Sequence, residues 1–332
     1  MPSITALAVV GCSGGNGNPG TGGSGAGSGG AGGAASGELV YKPCDPAQRT
    51  GLFALELKSA AGDVGAFTQF GGALRDKVSP GTVLVSKRKE GDCSIMVAPN
   101  LSCAPACTNL SICLGQNQCA PPPVNQGIGE IQITGLATAL TASPLGNNAY
   151  STSLPVATQF PPAAPGATIG FSAAGAGAIA ALSLQGRGIS PLEVPTTPPM
   201  ILKTPQPLTI TWTPPAMAGK SRIYLSMDIA HHGGGSAQLE CDWPDTGSGV
   251  LSAAMLTALL AEGSAGFSTY SLVRRTADSA TVGAGCVEFD VASTADREVT
   301  IEGIISCNDQ DLPCPEGRVC RPAGVPGGLA CE

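Results

Sequence analysis

The stretch Ile223-Tyr224-Leu225-Ser226-Met227-Asp228-Ile229 has an apolar residue at every second position. Successive side chains of a β-strand point to opposite faces, so this alternation predicts a strand with one buried face. The stretch Val287-Glu288-Phe289-Asp290-Val291 has the same period. Further predicted strands, separated by Pro- and Gly-containing turns, cover residues 52–58, 82–86, 93–97, 131–134, 208–212 and 299–301. Because there are many such strands, we expect an antiparallel β-sandwich.

One segment has helical periodicity instead. Ser252 can accept the first hydrogen bonds of a helix, and Gly263 can end it. The apolar residues between them that share one helix face are Met255, Leu256, Leu259 and Leu260. We therefore predict a helix over residues 252–262. The predicted fold class is mainly β: an antiparallel β-sandwich body with small disulfide-rich loop modules and one short helix.

The chain begins with a short apolar run, residues 4–12, that ends in Val9-Val10-Gly11-Cys12. A short apolar segment ending in small residues is typical of an export signal, although no Lys or Arg precedes this one. These last four residues resemble the lipobox of bacterial lipoproteins. In that family the signal is removed before the cysteine, whose thiol carries a diacylglyceryl group. The resemblance implies a signal peptide over residues 1–11 and lipidation of Cys12.

Residues 12–37 form a tract in which about half of the residues are glycine and most of the others are Ser, Ala and Asn. Such a chain buries almost no apolar surface and would lose much backbone entropy on ordering, so we expect a disordered linker. A Gly-rich coil of this length has a root-mean-square span of about 28 Å. That span is typical of a flexible leash between a lipid anchor and a folded body.

Thirteen cysteines are present. If Cys12 carries lipid, twelve remain, and export would place them in an oxidising compartment where six disulfides can form. The twelve are Cys44, Cys93, Cys103, Cys107, Cys113, Cys119, Cys241, Cys286, Cys307, Cys314, Cys320 and Cys331. Zinc is the alternative, but structural zinc sites favour closely spaced Cys or His pairs. The chain has no Cys-x-x-Cys, and its only histidines, His231 and His232, are far from the cysteine clusters in sequence. We therefore predict disulfides and no metal.

Two short stretches are dense in cysteine. Cys103 to Cys119 holds four cysteines in 17 residues, which leaves no room for a hydrophobic core, so cross-links must replace it. The C-terminus repeats the Cys-x5-Cys spacing at Cys314 and Cys320. We divide the chain after the linker into an N-terminal β segment (38–99), a Cys-rich mini-module (100–126), a β-sandwich domain (127–306) and a Cys-rich C-terminal segment (307–332). Resemblance to small EGF-like knots implies the mini-module pairs Cys103–Cys113 and Cys107–Cys119.

Trp212 lies in a predicted strand and is expected in the sandwich core. Cys241 and Cys286 could link two strands, an arrangement similar to the packing of Trp on a disulfide in immunoglobulin domains. In those domains the Trp lies between the two cysteines, whereas Trp212 precedes both. We therefore expect a sandwich but not a true immunoglobulin domain.

Several motifs together resemble a family of uncharacterised cysteine-rich lipoproteins from myxobacteria. They are the lipobox with its Gly-rich leash, CAPACTNLSICLGQNQCAPPP at residues 103–123, LTITWTPP at 208–215 and QLECDWPDTGS at 238–248. The resemblance covers most of the chain after residue 38. It implies a location and an architecture, and no activity comes with it.

Composition limits the classes of partner. Only 12% of residues are charged and the formal net charge is −7. Phosphate binding needs clustered Lys and Arg, so we expect no nucleic-acid partner. Between Ile131 and Gly186 there is no charged residue, but Pro, Gly and Thr interrupt this stretch too often for a membrane helix. The 4% aromatic content argues against a stacking platform for sugars, for which the only candidates are Tyr150, Tyr224, Trp243 and Tyr270.

The sharpest enzymatic motif is Asp245-Thr246-Gly247-Ser248, which resembles the Asp-Thr-Gly-Ser motif of aspartic proteases. In those enzymes two carboxylates share one proton and activate a water. This chain has no second Asp-Thr-Gly or Asp-Ser-Gly, so catalysis would need a dimer. Pro-Asp-Thr-Gly is also ordinary turn sequence. We expect a turn, and keep Asp245 as the weak catalytic candidate.

Three other patterns carry less weight. His231-His232 could bind a metal only with partners folding close by, and adjacent residues of a strand point to opposite faces, so a loop end is the expected role. Asp309 and Asp311 lack the helix-flanked 12-residue loop of a calcium site. Residues 11–15 match Gly-x-Ser-x-Gly by chance in the Gly-rich tract.

The sequence thus predicts a cell-envelope lipoprotein held by the Cys12 acyl anchor to a bacterial membrane, expected to be the outer membrane, facing the periplasm or the cell surface. Its predicted role is non-enzymatic binding or structure, without cofactors, and its expected partners are the lipid bilayer and an envelope protein or glycan. Loops on a rigid sandwich are the usual place for such contacts. The alternative is a secreted hydrolase, aspartic-protease-like through Asp245.

Overall fold

The computed structural model describes residues 40–60, 64–80, 83–99, 101–153, 160–197, 199–229, 237–264 and 268–302. Near the C-terminus it also describes residues 314, 317, 319–322 and 329–331. The predicted signal peptide (1–11), lipidated Cys12 and the linker to residue 37 lie outside the described residues. So do His231, His232, Cys307, Asp309 and Asp311.

In the described part of the chain the secondary structure is strand with a single helix, as predicted. The strands are β1 (Arg49–Lys58), β2 (Phe67–Arg75), β3 (Val85–Glu90), β4 (Cys93–Val97), β5 (Ile112–Gly115), β6 (Gln118–Ala120), β7 (Asn125–Gln126), β8 (Ile131–Thr134), β9 (Leu140–Ala142), β10 (Tyr150–Ser153), β11 (Thr168–Ala173), β12 (Leu182–Arg187), β13 (Ile201–Leu202), β14 (Leu208–Thr211), β15 (Arg222–Asp228), β16 (Ala237–Pro244), β17 (Ser248–Leu251), β18 (Thr269–Val282), β19 (Gly285–Glu298), β20 (Thr300–Ile301), β21 (Cys320–Pro322) and β22 (Leu329–Cys331). The helix is α1 (Ala253–Ala261).

The centre of the fold is a long hairpin made by β18 and β19, which pair over their full length. Gly283 at its tip has a φ of 59°, a left-handed conformation that glycine adopts without strain. The hairpin lies in the middle of a ten-stranded main sheet with the order β10-β2-β1-β19-β18-β15-β16-β4-β3, and β7 also pairs with β2.

Most of the main sheet is antiparallel, as predicted, but β1 pairs with β19 in parallel. The physical reason is the path of residues 40–48, which we call the strap. Lys42 of the strap bonds to Ala277 of β18, and farther along the backbone of Gln48 bonds to Cys286 of β19. The chain therefore crosses the hairpin and enters β1 in the direction of β19. Strands from the predicted N-terminal segment (38–99) and from the predicted 127–306 domain thus share one sheet.

A second, four-stranded sheet with the order β12-β11-β8-β9 covers one half of the main sheet. The core between the two sheets is rich in phenylalanine. Phe171 of the small sheet lies 5.2 Å from Phe53 and 5.1 Å from Phe289 of the main sheet, measured between ring centroids. This packing forms the predicted sandwich.

The other half of the same face is covered by α1, by the β14–β17 pair and by the β13–β20 pair. Trp212 lies in this second core, as predicted, and its ring stacks on Trp243 with centroids 6.1 Å apart. Trp243 is 6% exposed, and a Cβ added to Gly249 would lie 2.3 Å from its indole. Glycine at that position is therefore what allows the indole to lie flat against β17.

The helix begins and ends where the sequence predicts. Ser252 is the N-cap, and its hydroxyl accepts a hydrogen bond from the backbone N–H of Met255 at 3.1 Å. Met255, Leu256 and Leu259 are buried against the main sheet. The strand predicted over residues 82–86 is wrong in its bounds, because β3 runs from Val85 to Glu90 and has no buried apolar face.

Disulfides connect distant parts of the chain. The mini-module pairs are those implied by the EGF-like resemblance, and the described disulfides are Cys44–Cys286, Cys93–Cys241, Cys103–Cys113, Cys107–Cys119 and Cys314–Cys331. Cys320 is disulfide-bonded too. The predicted Cys241–Cys286 link is wrong. Cys241 of β16 faces Cys93 of the neighbouring β4 in register, and Cys286 lies under the strap that carries Cys44.

No helix among the described residues is long and apolar enough to cross a membrane.

Close approach of the two sheets depends on Gly186 in β12. A Cβ at this position would lie 2.4 Å from Cγ2 of Val291 in β19. Gly186→Val therefore forces the sheets apart, and we expect a loss of unfolding free energy of about 1–3 kcal/mol. The measurement is urea denaturation of the oxidised protein. Gly146→Ala is the control, since nothing lies within 4 Å of its added Cβ. Equal stability of the two variants would contradict this account of sheet packing.

Candidate functional site

Asp245, the sequence candidate for catalysis, lies in the bend between β16 and β17 and is 3% exposed. Its carboxylate accepts hydrogen bonds from the indole N–H of Trp212 at 2.7 Å and from the hydroxyl of Ser221 at 2.6 Å. It also accepts two from Arg274, through Nε at 2.6 Å and Nη2 at 3.2 Å. Two donors thus reach each carboxylate oxygen.

The guanidinium of Arg274, in β18, also has all of its hydrogen bonds made. Besides its two bonds to Asp245, its Nη1 donates to the backbone carbonyls of Ser190 at 3.2 Å and Pro191 at 3.0 Å. Its Nη2 donates to the carbonyl of Thr213 at 2.6 Å. A guanidinium has five N–H groups, so every donor of this buried side chain has an acceptor.

The geometry gives Asp245 a structural role. An ionised carboxylate has about four lone-pair sites, and four donors occupy them here. To activate a water, Asp245 would have to release a donor that is itself buried, which costs the full desolvation of that group. The arrangement therefore does not favour the aspartic-protease alternative.

A second cluster of charges lies on the opposite face of the main sheet, which we call the outer face. Arg275 of β18 is fully buried there, with Nη1 3.4 Å from a carboxylate oxygen of Asp290 and 3.6 Å from one of Glu288. Its Nη2 donates to the hydroxyl of Tyr41 at 3.0 Å, and that hydroxyl donates to Asp242. The cluster joins the strap to three strands of the main sheet.

Aromatic rings enclose the guanidinium of Arg275. Its Cζ lies 4.8 Å from the ring centroid of Tyr224 and 5.6 Å from that of Tyr41. The Cζ of a second arginine, Arg222, lies 5.4 Å from the ring centroid of Tyr41. These distances allow cation–π attraction, which is stronger when the cation is desolvated, as Arg275 is here.

Burial perturbs the acids and bases of this cluster. Burial first, and then the charge of Glu288, raise the pKa of Asp290 to about 8, against the opposing charge of Arg275. Burial also raises the pKa of Tyr41 and of Glu240. Burial alone would lower the pKa of Arg275, but its anionic neighbours outweigh burial and raise it. Asp290 and Glu288, which we call the carboxyl pair, both lie against Nη1 of Arg275, and Asp290 keeps its proton at neutral pH.

The strap closes the cluster from solvent. The Cys44–Cys286 disulfide fixes the strap to β19, and the backbone N–H of Cys44 donates to Glu288 at 2.7 Å. Glu288 is fully buried and Asp290 is 2% exposed. A substrate therefore has no direct route to the carboxyl pair, which together with Arg275 forms a closed ionic core beneath the strap.

The sequence offered two signals for these residues. Glu288 and Asp290 are two positions apart in a strand, so their side chains share a face, and the apolar residues between and around them show that the strand is central. Arg274-Arg275 in β18 places one guanidinium on each face of the sheet. The prediction for residues 287–291 rested only on their alternation, and no prediction was made for Arg274 and Arg275.

The aromatic candidates for sugar stacking are not available on the surface. Tyr150, Tyr224, Trp243 and Tyr270 are each between 2% and 6% exposed. Because all four are buried, none can present a ring face to a sugar.

Three sulfurs of the mini-module, those of Cys103, Cys107 and Cys119, lie within 4.8 Å of one another. Metal binding requires free thiolates. Here Cys103 is paired with Cys113 and Cys107 with Cys119, so these sulfurs are engaged in disulfides.

An open groove of about 410 Å³ runs beside α1. It is lined by Arg88, Pro205, Ala253, Ala254, Thr257, Ala258 and Ala261. Ligand sites usually combine apolar walls with several convergent polar groups. Among the described residues along the groove, the only polar side chains are those of Thr257 and Arg88, so it does not resemble a ligand site.

No protein-family model and no curated protein matches the chain. Among solved structures, one similar chain is a Ca2+-stabilized adhesin that helps an Antarctic bacterium reach out and bind ice. The two chains are 10% identical with a TM-score of 0.18, and the match covers 78% of this chain and 51% of that chain. This chain thus spans about half the length of the adhesin structure. A similarity this low says nothing about the function of this protein.

The Arg274–Asp245 pair yields a stability prediction. Arg274→Met leaves a buried carboxylate without its counter-charge, and we expect a loss of unfolding free energy of about 3–5 kcal/mol. The matched control is Arg88→Met. Arg88 is 45% exposed and pairs with an exposed Glu90, so its loss is expected to cost no more than about 1 kcal/mol. Urea denaturation measures both, and losses of similar size would contradict the structural role.

Asp290 yields a pH prediction. The folded protein keeps a proton on this group up to about pH 8, whereas an unfolded chain releases it near pH 4. The contribution is therefore fully present below about pH 4, and the unfolding free energy falls between about pH 4 and pH 8, by at most about 1.4 kcal/mol per pH unit. Asp290→Asn should flatten this decline in denaturation curves measured across the range. The exposed Asp92→Asn control should keep it, and an unchanged slope in Asp290→Asn would contradict the assignment.

Proposed function

We propose that the protein is a cell-envelope lipoprotein, anchored to a bacterial membrane through Cys12, whose rigid β body has a non-enzymatic binding or structural role. In this proposal residues 12–37 act as the flexible leash. The body is held near the membrane surface, and its exposed faces meet a partner.

One observation carries the proposal: a disulfide fastens the chain to the body directly after the leash. Residues 40 and 42 bond to the backbone of Ala277, and Cys44 is linked covalently to Cys286. Tension arriving through the leash would act first on those hydrogen bonds and then on a covalent bond. Strand β1, which follows the strap, would be shielded from it. This attachment suits a body that is pulled by its N-terminal end.

The cysteine usage supports the same location. Cys93–Cys241 and Cys44–Cys286 join residues 148 and 242 positions apart, so they staple the body as a whole. Structural disulfides form and persist outside the reducing cytosol. A periplasmic or surface-exposed body is therefore the expected state.

The ionisable groups support a role other than hydrolysis. Asp245 has its lone pairs occupied by Trp212, Ser221 and Arg274, and the carboxyl pair of Glu288 and Asp290 is buried. Each cluster connects several strands, so each contributes to rigidity. A rigid scaffold is what a binding or structural module requires.

The anchor is tested by Cys12→Ser in the native host. We expect the wild-type protein in the membrane fraction, released by detergent but not by high salt, because acyl chains hold it by apolar burial. The variant should move to the soluble fraction of the envelope or to the medium. Cys314→Ser is the control, since it removes a cysteine without touching the anchor. Equal distribution of wild type and Cys12→Ser would contradict the proposal.

A further inference from the structure

The four-stranded sheet explains where the charge-free stretch of the sequence lies. Its strands β8, β9, β11 and β12 all fall between Glu130 and Arg187, and alternate residues are buried in the phenylalanine-rich core. The other residues of each strand face solvent. Because no residue between 131 and 186 is charged, the only charged side chain that these four strands place on this side is Arg187, the last residue of β12. We call this side of the sheet the neutral face.

The neutral face carries mainly hydroxyl and amide groups in register. One row crosses all four strands, with one solvent-exposed residue from each: Ser183, Ser172, Gln132 and Thr141. A second row contains Gln185, Gly170 and Thr134. Neighbouring strands are about 4.8 Å apart and same-face residues along a strand are about 6.8 Å apart, so these groups form a regular array.

The side chains of this array are open to a partner. Within the described part of the chain, those of Gln132, Thr134, Thr141, Ser183 and Gln185 make no hydrogen bond to another protein group. The hydroxyl of Ser172 makes a long bond of 3.5 Å to a backbone carbonyl. Each group can therefore donate to and accept from a bound molecule.

Charged groups lie at the borders of the array: one at each end, and Asp278 of β18 along the β12 edge, where its carboxylate accepts a hydrogen bond from the backbone N–H of Gln185 at 2.9 Å. Glu130 precedes the start of β8, and Arg187 ends β12 at the opposite end, where its guanidinium donates to the hydroxyl of Thr168. Only 12% of the residues of this chain are charged, and none of them belongs to the two rows. Within these borders, the two rows offer an anionic or cationic partner no complementary charge.

We propose that the neutral face binds a neutral polysaccharide. Such a polymer presents hydroxyl groups at regular intervals, is uncharged, and can exchange hydrogen bonds with several rows at once. Since the aromatic side chains considered for stacking are buried, the affinity would come from many weak hydrogen bonds along an extended ligand, not from stacking on one sugar. This inference deepens the proposed function, because a body held in the envelope would meet such polymers there.

The test uses the full chain with Cys12→Ser, so that it does not depend on the anchor. The probes are three insoluble neutral polysaccharides, cellulose, chitin and cross-linked dextran, and an anionic alginate gel for comparison. We expect retention on at least one neutral matrix and not on alginate. Retention should be unchanged between about 0.05 and about 1 M NaCl, because hydrogen bonds between neutral groups are not screened by salt.

Two substitutions on the array, Ser172→Glu and Thr134→Glu together, should lower the bound-to-free ratio by about tenfold or more, because a polymer lying on them would desolvate unpaired charges. The matched control is Thr209→Glu with Ser248→Glu, two exposed strand residues on the separate β14–β17 pair. Ser172→Thr with Thr134→Ser keeps both hydroxyls and should keep binding. Thermal melting confirms that all variants fold.

Three results would overturn the proposal. They are the absence of retention on all three neutral matrices, equal loss in the array and control variants, and retention that disappears with salt. A failed anchor would instead show as unchanged membrane fractionation of Cys12→Ser, which this binding experiment does not depend on.

Discussion

The buried pair of Arg274 and Asp245 is the constraint on which the arrangement of the body depends. The main sheet has two cores on the same face, one under the small sheet and one under α1, and Arg274 lies between them. The loop that passes from one core to the other places the carbonyls of Ser190 and Pro191 on its guanidinium. A buried charge needs a full set of hydrogen-bond partners. The loop and the β16–β17 bend must therefore both be in place before Arg274 can be buried between the two cores.

On the outer face of the main sheet the buried charges also have partners, but fewer of their polar atoms are paired. Arg275 has more anionic neighbours than one guanidinium can neutralise in ideal geometry, and the result is a carboxyl pair that keeps a proton on Asp290. Tyr41 and Cys44 of the strap close this network. The strap is thus held by a disulfide, by side-chain hydrogen bonds and by backbone hydrogen bonds. The same network gives the outer face of the main sheet a buried polar core.

Local patterns were sufficient to predict the fold class. The alternation in Ile223–Ile229 and the capping serine of α1 are decided by neighbours in sequence, and both appear in the structure. The partners of Cys241 and Cys286 could not be predicted, because a cross-link is decided by which strands meet across the sheet. The parallel β1–β19 pair was missed for a similar reason: the path of the strap leaves no periodic signal. The role of Asp245 depends on three residues distant in sequence, Trp212, Ser221 and Arg274, so its motif alone resembled a catalytic one.

The parallel pairing of β1 with β19 also determines when the body can finish folding. β1 is synthesised long before β19, yet the two strands are neighbours at the centre of the main sheet. Contacts of such long sequence separation form slowly, because a large loop must close before any bond forms between its ends. Until the chain through β19 is available, Cys44 has no access to Cys286, and the edge of β1 that faces away from β2 has no partner. The incomplete chain therefore depends on protection from aggregation until β19 is available to cover that edge.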